Sequence, residues 1–339
     1  MTAKTKIICT LGPASDSVTV LRKMMQAGMD VARLNLSHGT HREHAERIAS
    51  VRRLNKTYRR RLRILLDLEG PRVRVGALRQ PVPLQKGQSV LLSNQPRKRG
   101  EAAIPFDYEG SLADIEKNTE VFIDDGQIAL RVERARRHAL TARVVTPGTI
   151  RSHKGVNIPG VRLAFRGLSD KDRLDIAFGV RHGVDFVAQS FVRDARDMLH
   201  VGDALGAFRK KCRLIAKIEN EEGIRNIDAI LDVSDGVMIA RGDLGVSLPI
   251  YEVPVWQKLL LKECRKRRKF SITATQMLES MTEHLRPTRA EVSDVANAIL
   301  DGSDYVMLSG ETAMGRYPAQ TVQMMDKIIK FTEGAFSIR

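Results

Sequence analysis

The chain has 339 residues, 42% hydrophobic and 28% charged, an ordinary composition for a globular protein large enough to bury a substantial core. No apolar stretch approaches the length of a membrane span and the opening "MTAKTKIICT" has no signal-type h-region, so a cytoplasmic protein without a membrane partner is expected. Cys9, Cys212 and Cys264 show no paired or metal-type spacing, which argues against disulfides and structural zinc, while the net charge of +16 points to anionic partners.

In chain order, apolar strand-like runs alternate with helical ones. "TKIICTLG" (5–12) precedes a helical "SVTVLRKMMQAGMD" (17–30), "VARLNLSHG" (31–39) precedes a helix through the fifties, and "RILLDLEG" (63–70) follows. From about 72 to 158 the rhythm breaks into short runs such as "QSVLLS" and "LTARVVT" separated by Gly, Pro and Asn, the pattern of a small β domain. It resumes at "SDKDRLDIAFGVRHG" (169–183), where Ser169 can cap a helix that Gly183 stops. "VDFVAQSF", "CRLIAKIEN", "SDGVMIARGDLG", "KFSITATQ" and "SDYVMLSGE" follow, each trailed by a helix. Eight strand–helix pairs with a β insertion after the third strand predict an α/β fold: a (β/α)8 TIM barrel over 1–71 and 159–339, with a small all-β lid domain over 72–158. The basic runs 50–63, 131–143 and 262–269 raise nucleic-acid binding, but only Tyr58 is interleaved with them, and two fall at predicted helix C-termini. They read as a solvated surface that attracts anionic metabolites, with no specific nucleic acid expected.

In a TIM barrel the reactive groups sit at the C-terminal strand ends, and here those ends are polar where a core strand should stay apolar. They carry Arg33, Asn35 and Ser37, then Asp67, then Lys217 and Glu219, Arg241 and Asp243, Thr275, and Ser309 with Glu311. Alternation puts Lys217 and Glu219 on one strand face, which taken alone would suit a structural ion pair. Two carboxylates, Glu219 and Asp243, suit magnesium or manganese, which take few carboxylates plus waters and substrate oxygens. Arg33 and Lys217 supply the positive charge that phosphoryl transfer demands, and the glycine-flanked turn "ARGDLG" offers backbone amides to an anion.

The blocks "ICTLGPAS", "RLNLSHGTHREH", "IDDGQIAL", "KGVNIPG", "AKIENEEGIRN", "ARGDLG", "TATQMLESM" and "RPTRAEVSDVANAILDGSDYVMLSGETAMGRYP" occur in order from about residue 5 to 333. They resemble the signature blocks of pyruvate kinases. The resemblance implies phosphoryl exchange between phosphoenolpyruvate and ADP to give pyruvate and ATP. It implies that Lys217 neutralises the phosphoryl group in flight, that Arg33 grips it, and that Glu219 and Asp243 hold magnesium. Thr275 with the Gly242 and Asp243 amides would receive the substrate carboxylate, and Ser309 and Glu311 would lie near the proton path to the enolate carbon. Asn35, His38, Arg74 and Lys154 would lie toward the nucleotide, and Asn35, Ser37, Asp67 and the Leu68 carbonyl match the family's potassium ligands.

Three departures from the family pattern bear on function. The sequence ends at Arg339, after the eighth predicted barrel helix, which puts sugar-phosphate activation and the usual tetramer in doubt and leaves a homodimer through the barrel open. In "LDLEGPRVRVG", Glu69 stands where many members have lysine and Arg72 where they have glutamate. Arg72 would then supply a fixed cation at the potassium site and make potassium dispensable, as in members with lysine at that position. Arg268 replaces a helix-stop glycine, at some local cost. Three functions stay open: pyruvate kinase proper, a paralogue using phosphoenolpyruvate in another pathway, and a non-catalytic regulatory or RNA-binding relative.

Overall fold

A computed structural model describes residues 3–95, 103–108, 110–124, 126–161 and 167–336; Asp125, in the "IDDGQIAL" block, lies outside them. Eight parallel strands close into a barrel: β1 (Lys6–Thr10), β2 (Met29–Asn35), β3 (Arg63–Asp67), β13 (Phe186–Gln189), β14 (Arg213–Ile218), β15 (Gly236–Ala240), β16 (Phe270–Ala274) and β17 (Tyr305–Leu308), which returns to β1. This is the α/β TIM barrel that the alternating pattern predicts. The strands are almost wholly buried because helices cover their outer faces, which is why they read as continuous apolar runs rather than as alternation. Ile8, Val31, Leu65, Ile215, Met238, Ile272 and Met307 fill the barrel interior. Beneath them Phe186, Phe270 and Tyr305 meet edge to face, with ring centroids 5.6–6.3 Å apart.

The helices begin at side-chain caps. Ser17 opens α1 (Val18–Ala27), and Thr40 and Glu43 form a capping box for α2 (His41–Tyr58). Ser169 opens α3 (Asp170–His182), its hydroxyl accepting the Asp172 amide at 3.0 Å, and Gly183 stops it in the left-handed region, both as expected. Helix α1 is shorter than predicted. Gly28, at φ 121°, ends it and lets β2 start at Met29, so Met29 and Asp30 belong to the strand.

After β13 comes α4 (Ala195–Leu205); β14 is followed by two short helices, α5 (Glu221–Arg225) and α6 (Ile227–Val233). After β15, "ARGDLG" is not the open turn expected from its glycines. Helix α7 (Arg241–Ser247) starts directly at the strand end, with Asp243 in its first turn where a carboxylate favours the dipole. Then follow α8 (Val253–Lys266), α9 (Arg289–Leu300), α10 (Gly310–Ala313) and α11 (Pro318–Ala335). Arg268 takes φ 54° beyond the end of α8, the left-handed stop that its substitution for glycine implies.

The chain divides into two compact units, one of Met1–Gly70, Gly167–Arg241 and Tyr251–Arg339, the other of Pro71–Arg166 with Gly242–Ile250. The second unit is built from β4 (Val73–Val75), β5 (Val82–Leu84), β6 (Ser89–Ser93), β7 (Ala103–Asp107), β8 (Glu120–Ile123), β9 (Ile128–Arg136), β10 (Ala139–Thr146), β11 (Gly148–Ile150) and β12 (Gly155–Asn157). Seven of these close in the order β10-β6-β7-β4-β12-β8-β9, and β5 pairs with β11. Its own core includes Leu92, Leu112, Val121, Leu130 and Leu140.

Candidate active site

The strand ends of the barrel unit bring together a buried charge chain. Arg33, near the end of β2, donates from Nε to Asp67 Oδ2 at 2.7 Å and from Nη1 to the Thr10 hydroxyl at 2.8 Å. On the other side of Asp67, Lys217 Nζ lies 3.1 Å from Oδ1 and 3.2 Å from Glu219 Oε1. The same-face relation read from alternation therefore holds, but Lys217 sits between two carboxylates rather than beside one. Its ammonium also donates to Ser190 Oγ at 2.6 Å, and that hydroxyl donates to the Leu68 carbonyl at 2.7 Å. The Phe191 amide, at a residue with φ 54°, donates to Glu219 Oε2 at 2.7 Å.

Arg33, Asp67, Lys217 and Glu219 are all buried. Burial alone would raise the Asp67 pKa, but the charges of Lys217 and Arg33 outweigh it and hold the carboxyl below its ordinary value. An alternating cation–anion row of this kind gives each buried charge an opposite neighbour, where an unpaired charge would be costly.

The loop after β2 is held by its own backbone. The Asn35 side-chain oxygen accepts the Ser37 amide at 3.1 Å, the Leu36 amide donates to the Asp67 carbonyl at 2.9 Å, and the exposed His38 accepts His44 Nε2 on its carbonyl at 2.8 Å. Lys171 donates to the Leu36 carbonyl at 2.6 Å and pairs with Glu69 at 3.4 Å and Asp175 at 2.7 Å. Asn35 and Asp67 face each other in the β2–β3 register.

At the end of β16, Thr275 takes φ 70° and Gln276 φ 52°. Two consecutive non-glycine residues in this region, one of them β-branched, cost of order 1–3 kcal/mol each and call for an external hold. Arg241 reaches their carbonyls. After β17, Glu311 is wholly buried and both its oxygens accept backbone amides, from Ser309 at 2.7 Å and Leu278 at 3.1 Å. Its geometry is that of an anchor fixing two turns, whereas the buried Ser309 hydroxyl has no hydrogen-bond partner among the described residues.

In the second unit, Arg74 donates to the His153 carbonyl at 2.9 Å and Lys154 pairs with Asp124 at 2.8 Å. Arg72 pairs with Asp243 at 3.7 Å, and its guanidinium packs on Gly155, where a Cβ would collide with it. Among the described residues no group of three or more His, Cys, Asp or Glu side chains could hold a metal ion alone. No helix among the described residues is long and apolar enough to cross a membrane.

The sequence profile described as "Pyruvate kinase, barrel domain" matches residues 2–322. The chain belongs to the pyruvate kinase family. It is 48% identical over 343 residues to a pyruvate kinase of Geobacillus stearothermophilus, covering 100% of this chain and 58% of that one. It is 46% identical over 340 residues to a pyruvate kinase of Sporosarcina psychrophila and over 339 residues to one of Bacillus licheniformis, covering 99% and 98% of this chain and 58% of each relative. The chain thus spans 58% of the length of these relatives. As a pyruvate kinase barrel it carries three residues at the strand ends whose contacts motif reading missed: Ser190, Phe191 and Arg241. Ser190 and Phe191 sit in an apolar run with no signal of their own, while Arg241 stood among the polar strand-end residues without an assignable partner.

Proposed function

We propose that this chain catalyses phosphoryl exchange between phosphoenolpyruvate and ADP, giving pyruvate and ATP. The observation that carries this is the Lys217 ammonium, buried yet still paired with Asp67 and Glu219 beside the Arg33 guanidinium. A preorganised positive charge in a water-poor site stabilises a phosphoryl group in flight without reorganisation. In this reading Lys217 and Arg33 bind the phosphoryl oxygens, and Thr275 with the Gly242 and Asp243 amides binds the substrate carboxylate. Ser309 lies on the route by which a proton reaches the enolate carbon, and Glu311 orients it.

Glu219 and Asp243 are the family-motif carboxylates for magnesium or manganese, which supplies charge neutralisation on substrate oxygens when bound. Asn35, His38, Arg74 and Lys154 serve the nucleotide. The Asn35, Ser37, Asp67 and Leu68 carbonyl group corresponds to the monovalent-cation ligands, and the permanent charge of Arg72 makes potassium dispensable. The protein works in the cytoplasm as a homodimer through its barrel, with neither a membrane nor a specific nucleic acid as partner.

A lactate dehydrogenase-coupled assay with phosphoenolpyruvate, ADP and magnesium tests the activity. Pyruvate formation that depends on all three supports it, and none with correctly folded protein overturns it.

A further inference from the structure

Arg241 follows β15 directly, and the roles above leave it unused. Its side chain is only 10% exposed and runs sideways, to the turn after β16. Nη1 donates to Asp294 Oδ1 at 2.7 Å and to Gln257 Oε1 at 3.2 Å. Nη2 donates to the Thr275 carbonyl at 2.7 Å and the Gln276 carbonyl at 3.3 Å, with Met277 Sδ at 2.9 Å. The two carbonyls it engages belong to the two consecutive residues with positive φ. The Thr275 hydroxyl donates to the Ala274 carbonyl at 2.6 Å, so the residue is held on both sides.

We infer that Arg241 is a positioning residue for the phosphoenolpyruvate carboxylate. Its guanidinium holds Thr275 and Gln276 in the left-handed conformation that presents Thr275, while Asp294 and Gln257 fix the guanidinium from behind. It touches no substrate. A planar, permanently charged fork can bond two neighbouring carbonyls and a carboxylate at once, and an ammonium cannot reproduce that spread. The inference rests on the reading that Thr275 receives the carboxylate. That contact is the same in ground and transition states, so loosening it raises KM and spares kcat.

The test compares Arg241→Gln and Arg241→Lys with the wild type in steady-state kinetics, with calorimetric titration of phosphoenolpyruvate as a readout free of turnover. Arg241→Gln is expected to raise KM and Kd for phosphoenolpyruvate tenfold or more, with KM for ADP within twofold and kcat within threefold; Arg241→Lys falls between. Gln276→Gly, added to Arg241→Gln, should recover at least threefold of the lost affinity, because glycine takes a positive φ without cost. Unchanged phosphoenolpyruvate affinity, equal losses for both substrates, or no recovery in the double variant overturns the inference. If Arg241→Gln does not fold, Arg241→Lys and its Gln276→Gly double variant carry the same comparison. Thr275→Val is the separate arm. Normal phosphoenolpyruvate affinity in that variant shows that the carboxylate lies elsewhere, a failure of the underlying reading whatever Arg241 does.

Discussion

Replacing Lys217 with methionine keeps an unbranched stem of similar volume and removes only the ammonium. That group lies 3.1 Å from Asp67, 3.2 Å from Glu219 and 2.6 Å from the Ser190 hydroxyl, all in buried surroundings. Removing one partner of a buried pair costs about 3–5 kcal/mol because the opposite charge stays behind. Asp67 still faces Arg33 at 2.6 Å, so the lower end applies, about 3 kcal/mol. At roughly 2 °C per kcal/mol for a chain of this size, the midpoint should fall about 6 °C near neutral pH. The sign with pH follows from Asp67. Its depressed pKa contributes stability that is full above the ordinary carboxylate value of about 3.9 and is lost as pH falls through the folded value. The variant lacks the Lys217 share of that stability, so its deficit should be widest at neutral pH and shrink below about pH 4. Circular-dichroism melts across that range measure the gap. Stopped assays, run cold enough for the variant to stay folded, should show kcat down by at least about a hundredfold. A gap that stays constant with pH would refute the ion-pair account, and a kcat above about a tenth of wild type would refute the role of Lys217 in transfer.

Glu219→Gln should weaken magnesium and manganese binding at least about tenfold, read by manganese paramagnetic titration, since it removes a formal charge from a site with few carboxylates; wild-type affinity would place the ion elsewhere. Arg72→Glu removes a fixed cation and sets a second carboxylate beside Asp243, 3.7 Å from the guanidinium it replaces. The wild type should work as well in tetramethylammonium as in potassium, and the variant should be slower but stimulated by potassium; tenfold stimulation of the wild type would count against the idea. Arg268→Gly should raise stability by about 0.5–1 kcal/mol, because a left-handed residue with a side chain is strained and glycine recovers part of that despite its entropy. An unchanged or lower denaturation midpoint would show that the local chain had already relaxed.

The barrel was legible because each of its strands is a short apolar run followed by helical spacing, and capping residues such as Ser169 marked where helices start. Lys217 and Glu219 could be paired from alternation alone, since they stand two residues apart at the end of one strand. Asp67 could not be added to the pair, nor Ser190, because those contacts cross strands distant in sequence and depend on barrel register. "ARGDLG" misled for a local reason. Its glycines suggest an open turn, yet nothing in Arg241–Ser247 forbids a helix. The closed order of the β unit was out of reach, since its strands are short and pair mostly out of sequence order.

The Gly70 amide donates to Asp172 Oδ1 at 3.2 Å, a contact inside the barrel unit that joins the residue where the chain leaves it to the helix that follows its return. In polymer terms this bond closes a loop containing the whole of Pro71–Arg166. A flexible loop of that length costs ~4 kcal/mol of closure entropy, yet doubling or halving it changes the cost by only ~0.6 kcal/mol. What the barrel requires of its insertion is two ends that meet, and the length between them is almost indifferent. Such an insertion can be lengthened, trimmed or exchanged over evolutionary time while the Arg33–Asp67–Lys217–Glu219 row stays as it is, so the two parts are free to diverge at different rates.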